Sequence, residues 1–103
     1  MKTYTYLLLF LFFITTGNLL SQNAIIKGVV LDEKNIPVSE VNVTTGGEGT
    51  QTNFDGFFSL EVAASQKITL IFSHVTFKNI QVSVPALSPN SDFEINPVMK
   101  IDI

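Results

Sequence analysis

Residues 49–62 read Gly49-Thr50-Gln51-Thr52-Asn53-Phe54-Asp55-Gly56-Phe57-Phe58-Ser59-Leu60-Glu61-Val62. Phe58, Leu60 and Val62 alternate with Phe57, Ser59 and Glu61. That period of two belongs to a strand with one buried face. Asp55-Gly56, just before it, is a hairpin signal, because a tight turn needs positive φ angles that glycine supplies without steric cost. The same alternation recurs on both sides. Ile26, Gly28 and Val30 share one face of a strand over 24–31. Val41 and Val43 do so over 38–45, and Thr50–Thr52 form a short polar strand. Ile68, Leu70 and Phe72 alternate with Lys67, Thr69 and Ser73, and Ile80, Val82 and Val84 with Gln81 and Ser83. The phase breaks near Phe77–Asn79, where a bend or bulge is expected. Phe93, Ile95 and Val98–Ile101 give a last strand, interrupted at Pro97. Glycine at position 28 leaves room for a close approach by another part of the chain.

Between these runs lie turn signals: Asp32–Pro37, the glycine-rich bend at Gly46, Gly47 and Gly49, and the loop marked by Pro85, Pro89 and Asn90. From residue 22 onward, Val, Ile and Thr number 25 of 82 residues, against four Leu and four Ala. β-branched side chains favour strands, and no stretch carries helical apolar spacing. The expected fold is all-β, a small seven-stranded antiparallel β-sandwich. Its core is expected to hold Ile26, Val30, Val41, Val43, Phe58, Leu60, Ile68, Leu70, Phe72, Val82 and Val84.

Residues 1–21 differ from the rest. Lys2 precedes the unbroken apolar run Leu7–Ile14, which Thr15, Thr16 and Gly17 interrupt. A charged start, a short apolar middle and small residues near a cut make a secretory signal peptide. The rival reading is a retained anchor, although a span needs about 20 apolar residues. The expected cut falls between Gly17 and Gln22, preferably at Ser21–Gln22. This leaves one domain, residues 22–103, and no membrane span after cleavage.

The 103 residues carry a net charge of −3 and include no cysteine, no tryptophan and a single histidine; all six cationic side chains are lysines. An acidic chain without arginine is a poor match for nucleic acid. Absent cysteine excludes a disulfide scaffold, a thiolate zinc site, a cysteine nucleophile and a lipid anchor on cysteine.

The potential chemical constellations are sparse. Ser73-His74 invites a nucleophile–base reading, but neighbours on a strand point to opposite faces. Gln51–Gly56 has the outline of a calcium loop, yet Gln51 would be the first ligand and Val62 would stand where the bidentate glutamate belongs. Gly46-Gly47-Glu48-Gly49 lacks the lysine and helix of a phosphate cradle. Asn42-Val43-Thr44 matches a glycosylation acceptor by chance, in mid-strand. No catalytic, cofactor-binding or metal-binding residue is assigned, and no cofactor is expected. Ile25, Phe57 and Ile71 fall opposite the inferred core, where they cover sheet edges or, alternatively, form the one contact surface that can be named. Phe57 and Phe77 are the aromatics available to a carbohydrate.

Taken together, the motif Ile26-x-Gly28-x-Val30-x-Asp32, then Ile36-Pro37-Val38-x-x-Val41-Asn42-Val43, then Gly49-Thr50-x-Thr52-Asn53-x-x-Gly56-x-Phe58-x-Leu60, and finally Leu70-x-Phe72-Ser73-His74, resembles the carboxypeptidase regulatory-like domain. The resemblance covers about residues 24–84. It implies a transthyretin-like sandwich with a structural or interactive role and no catalytic residues. Such domains often stand at the N-terminus of TonB-dependent outer-membrane receptors, directly after a signal peptide. The family often has Asp where Asn53 stands, and Gly-Tyr where Thr76-Phe77 stands. A receptor would continue into a plug and barrel, so this chain reads as a stand-alone module or a truncated relative. The resemblance implies an exported, non-enzymatic module in the periplasm or at the outer membrane of a Gram-negative bacterium. Its partner would be a protein or an adjoining domain. A stand-alone carbohydrate- or ligand-binding domain is the alternative.

Overall fold

The computed structural model of the chain describes residues 22–103; the signal-peptide expectation falls on residues 1–21, outside the described residues. Nine short strands and no helix are found among the described residues: β1 (Asn23–Val29), β2 (Leu31–Asp32), β3 (Asn42–Thr45), β4 (Glu48–Gln51), β5 (Phe57–Ala63), β6 (Ile68–His74), β7 (Phe77–Val84), β8 (Asp92–Glu94) and β9 (Val98–Met99). They form a three-stranded sheet in the order β5-β1-β8, a four-stranded sheet in the order β4-β3-β6-β7, and a short β2–β9 ladder. This is the expected β-sandwich, with two differences. The first predicted strand is divided, β1 from β2 at Val30, while the last is divided around Pro97, between β8 and β9, as expected. The β1–β8 and β2–β9 pairings are parallel, not antiparallel. Proline lacks the N–H that would carry the ladder through, which accounts for the second break.

The buried side chains are Ala24, Ile26, Val30, Val38, Val41, Val43, Phe58, Leu60, Val62, Leu70, Phe72, Val84 and Met99. At its centre the rings of Phe58 and Phe72, one from each sheet, meet edge to face at 5.5 Å. Two expected core residues, Ile68 and Val82, are only half buried. Ile68 begins β6, and Val82 lies on β7, the outermost strand of a four-stranded sheet that faces only three strands. Ala24, Val38 and Met99 join the core without an alternation of apolar residues to announce them.

Gly28 fulfils its expected role. A Cβ there would lie 1.7 Å from the carbonyl oxygen of Ile95, because the chain leaving β8 crosses directly over it. Around this crossing Ile95 N–H donates to Lys27 O and Val29 N–H donates to the Asn96 side chain, each at 2.9 Å. The bulge expected near Phe77–Asn79 is also present. Phe72 pairs with Ile80 and His74 with Phe77, so β7 holds one residue more than β6 over that interval.

The hairpin assignment at Asp55-Gly56 needs correction. The tight two-residue hairpin is at Gly46-Gly47, where Thr45 pairs with Glu48. Gly46 alone has positive φ (49°), the pattern of a type II′ turn. Asp55-Gly56 belongs to a three-residue turn that carries the chain from β4 in one sheet to β5 in the other. Asn53 N–H donates to Phe57 O at 3.0 Å, Gly56 N–H donates to Asn53 O at 2.9 Å, and only Gly56 has positive φ (74°). The Asn53 Oδ1 accepts from the N–H groups of Asp55 and Phe57, both at 3.0 Å. The turn at 32–36 repeats this arrangement. Asp32 Oδ1 accepts from Lys34 and Ile36, and Asn35 takes the positive φ of 62°. An amide oxygen thus serves where the family often has a carboxylate, since only an acceptor is required. Asn53→Asp should therefore leave the melting temperature close to that of the parent. Asn53→Ala should cost about 1 kcal/mol or more in chemical denaturation, as two turn N–H groups lose their acceptor.

Thr52 is the one buried polar side chain among the described residues. Its Oγ1 accepts from Val41 N–H at 2.9 Å and donates to Val38 O at 2.7 Å. The hydroxyl thereby satisfies two backbone groups where the chain enters β3. Thr52→Val keeps the shape and orphans both groups. The expected loss is about 1–3 kcal/mol in urea unfolding, with Thr52→Ser recovering most of it.

Candidate interaction surface

None of the potential chemical sites in the sequence assembles into a reactive arrangement. His74 ends β6, where its Nδ1 accepts from Thr76 N–H at 3.1 Å and its ring stands edge to face with Phe77 at 5.2 Å. One nitrogen is thus committed to the turn, and no hydrogen bond joins His74 to Ser73. In the calcium-like segment, the Asn53 oxygen faces its own backbone. Among the described residues no three of His, Cys, Asp and Glu gather as a metal would require. Asn42 is exposed, and its side-chain oxygen accepts from Gln51 Nε2 at 3.0 Å.

The contact surface expected from Ile25, Phe57 and Ile71 is not one surface. All three are about two-fifths exposed. Ile25 and Phe57 lie on the outer face of the β5-β1-β8 sheet, and Ile71 on the outer face of the other sheet. The two outer faces of a sandwich point apart, so these side chains do not meet. Within the first sheet, Ile25 pairs with Glu61 and Phe57 with Val29, four rungs away. The proposed aromatic pair separates as well, because Phe77 packs against the core.

A different apolar surface emerges at one end of the sandwich. Four segments lie side by side there. The turn at 53–56 abuts the segment after β2: a Cβ on Gly56 would stand 2.6 Å from Val30 O and 3.2 Å from the Pro37 side chain. β2 in turn pairs with β9. Residues after β9 pair with the start of β7, through the Phe77–Ile101 bridge and the Lys78 N–H to Lys100 O bond. These segments carry the exposed apolar residues Phe54 (94% exposed), Ile36, Val98, Ile101 and Val75 (100% exposed). The opposite end carries the Gly46-Gly47 turn and a cleft of mixed polarity, lined in part by Asn23, Glu48, Glu61 and Lys67. Reading each strand alone cannot reveal this apolar end, since its members come from four separate turns and strand ends. The available signal is the placing of Phe54, Ile36 and Val75 at turn tips, where polar residues are usual.

The fold and these surfaces define a β-sandwich module presenting apolar turn tips at one end. The sequence profile of the CarboxypepD_reg-like domain matches residues 26–100, and the chain belongs to that family. It is 31% identical over 81 residues to a TonB-dependent receptor of Formosa agariphila, covering 77% of this chain but only 8% of the receptor. Among solved structures, the 3-chlorocatechol 1,2-dioxygenase of Rhodococcus opacus 1CP superposes with a TM-score of 0.64 at 8% identity, over 81% of this chain and 61% of that one. The hydroxyquinol 1,2-dioxygenase of Pseudomonas putida DLL-E4 gives 0.65 at 8% identity, over 80% and 57%. A chain of a type II cohesin–X-dockerin complex from Acetivibrio cellulolyticus gives 0.54 at 14%, over 74% and 56%. At such identities the likeness is one of fold alone.

Proposed function

We propose that the chain is a non-enzymatic module of the cell envelope that docks, through its apolar end, onto a protein partner or an adjoining domain. The observation that carries this reading is the exposed set Phe54, Ile36, Val98, Ile101 and Val75. Apolar side chains left exposed on neighbouring segments are costly to leave in water and gain by being covered. Kinship with a TonB-dependent receptor supports the envelope as the place of action. The lack of any nucleophile–base or metal-ligand grouping among the described residues favours binding over catalysis.

A photo-crosslinking residue placed at position 54 or 75, with position 46 as control, tests this in envelope preparations. Cross-links to one protein band should form from 54 and 75 and not from 46, and Ile36→Ser with Ile101→Ser should remove them. Equal labelling from all three positions would contradict docking at this end. Independently, the melting temperature of the purified chain should be unchanged by calcium or zinc. A rise that disappears in Asp55→Asn or His74→Ala would replace the docking reading with a metal-dependent one.

A further inference from the structure

The outer edge of β7 is open. The two-residue hairpin makes Thr45–Glu48 a hydrogen-bonded pair, and Thr52 N–H donating to Val41 O confirms the alternation along β3. Carried across β6 by the observed registers, this alternation turns the backbone groups of Ile80, Val82 and Val84 toward β6. Those of Gln81 and Ser83 point outward. Residues 100–102 cover the start of this edge, where Lys78 N–H donates to Lys100 O and Asp102 N–H to Thr76 O. Beyond them, the N–H and C=O groups of Gln81 and Ser83 meet no partner among the described residues. The inward side chains beside them, Ile80 and Val82, are half exposed.

Other edges are better guarded. β8 has three residues, two of them acidic; β4 is short and lies beside β5. β5 is longer, but its edge bears Glu61 and its inward side chains are already buried. Charge and shortness are the usual protections of an edge strand, and Ile80–Val84 has neither.

We propose that this edge pairs with the same edge of a second copy of the chain, antiparallel about a two-fold axis at Val82. The stretch is self-complementary. Gln81 of one copy falls opposite Ser83 of the other, so the four free N–H and C=O groups on each copy are satisfied by four intermolecular hydrogen bonds. Val82 meets Val82 in the close, non-hydrogen-bonded position, and Ile80 meets Val84, which covers the apolar side chains left half exposed. No charged side chain lies within Ile80–Val84, so two acidic chains can meet there without direct repulsion. A foreign strand would need the same neutral, alternating pattern; a second copy supplies it. An edge this short buries less than a standard stable interface, so the dimer is expected to be weak, with Kd of about 10–500 μM.

Sedimentation velocity on the purified chain tests this over about 5–1,000 μM, the span set by that range of Kd. The expected result is monomer at the low end and dimer at the high end. Amide exchange at Gln81 and Ser83 should slow only at high concentration. Ser83→Pro removes an outward N–H that the fold does not use, and should weaken the dimer about tenfold or more. Val82→Lys, which sets two like charges at the axis, should abolish it. A chain that stays monomeric throughout overturns the proposal. So does a dimer that both variants retain, or one that leaves the exchange of Gln81 and Ser83 unaltered. The exchange readout on the parent decides the matter even where a variant fails to fold. Loss of docking at the apolar end would leave this result unaffected, because that surface lies on other residues.

Discussion

Replacing Gly28 with alanine is expected to detach the β8 edge and remove a large part of the stability of the fold. The added methyl would stand 1.7 Å from Ile95 O. Its obstacle is a backbone carbonyl, which cannot rotate aside like the end of a side chain. Relief requires moving the whole crossing segment, and that movement sacrifices the Ile95 N–H to Lys27 O bond, the Val29 N–H to Asn96 bond and the Ile26–Phe93 contact. Overpacking alone costs about 1–3 kcal/mol, and each lost hydrogen bond about 1 kcal/mol more. A chain with about 82 ordered residues has a total stability of roughly 4–12 kcal/mol, so one methyl group consumes much of it. Urea unfolding, followed by far-ultraviolet circular dichroism, measures the loss. A Gly28→Ala variant within 1 kcal/mol of the parent would show that the crossing is looser than described.

The second large effect is expected at the centre of the core. Phe58→Ala and Phe72→Ala should each cost about 3–5 kcal/mol. Both side chains are at most 1% exposed, and each comes from a different sheet. Removing either leaves a cavity that two hydrogen-bonded sheets cannot collapse to fill. The double variant should cost less than the sum of the two, because the edge-to-face contact between the rings at 5.5 Å can be lost only once. The expected coupling is about 0.5–1.5 kcal/mol. Thermal melts of the parent, the two single variants and the double variant close the cycle. If the single variants prove too unstable, Phe58→Leu and Phe72→Leu serve in their place.

Gly56 provides an instructive comparison with Asn35. Both occupy the positive-φ position of the same kind of turn, at 74° and 62°. Asparagine is tolerated at 35 because its side chain points into solvent. At 56 a Cβ would press on Val30 O. The same backbone angle therefore accepts two residue types in one turn and only glycine in the other, and sequence inspection of either turn alone cannot distinguish them.

The sequence by itself determined most of the strands and their inward faces. A strand's burial pattern has a period of two, and Phe58-Leu60-Val62 or Leu70-Phe72 displays it without reference to anything distant. The same local logic located the β7 bulge, the break at Pro97 and the need for a small residue at 28. The tertiary structure alone decided which strands became neighbours. It set β8 and β9 parallel to β1 and β2, and sent β5 across to the opposite sheet from β4. It placed Met99, Val38 and Ala24 in the core. These outcomes depend on contacts between residues far apart in the chain. Asn53-Phe54-Asp55-Gly56 can close a hairpin within a sheet or a corner between sheets with the same local angles. The surfaces follow from that packing. Ile25, Phe57 and Ile71 look equivalent along the chain yet lie on faces that point apart. Phe54, Ile36, Val98, Ile101 and Val75 share no periodicity, and only the packing of four separate segments brings the stretches that carry them to one end.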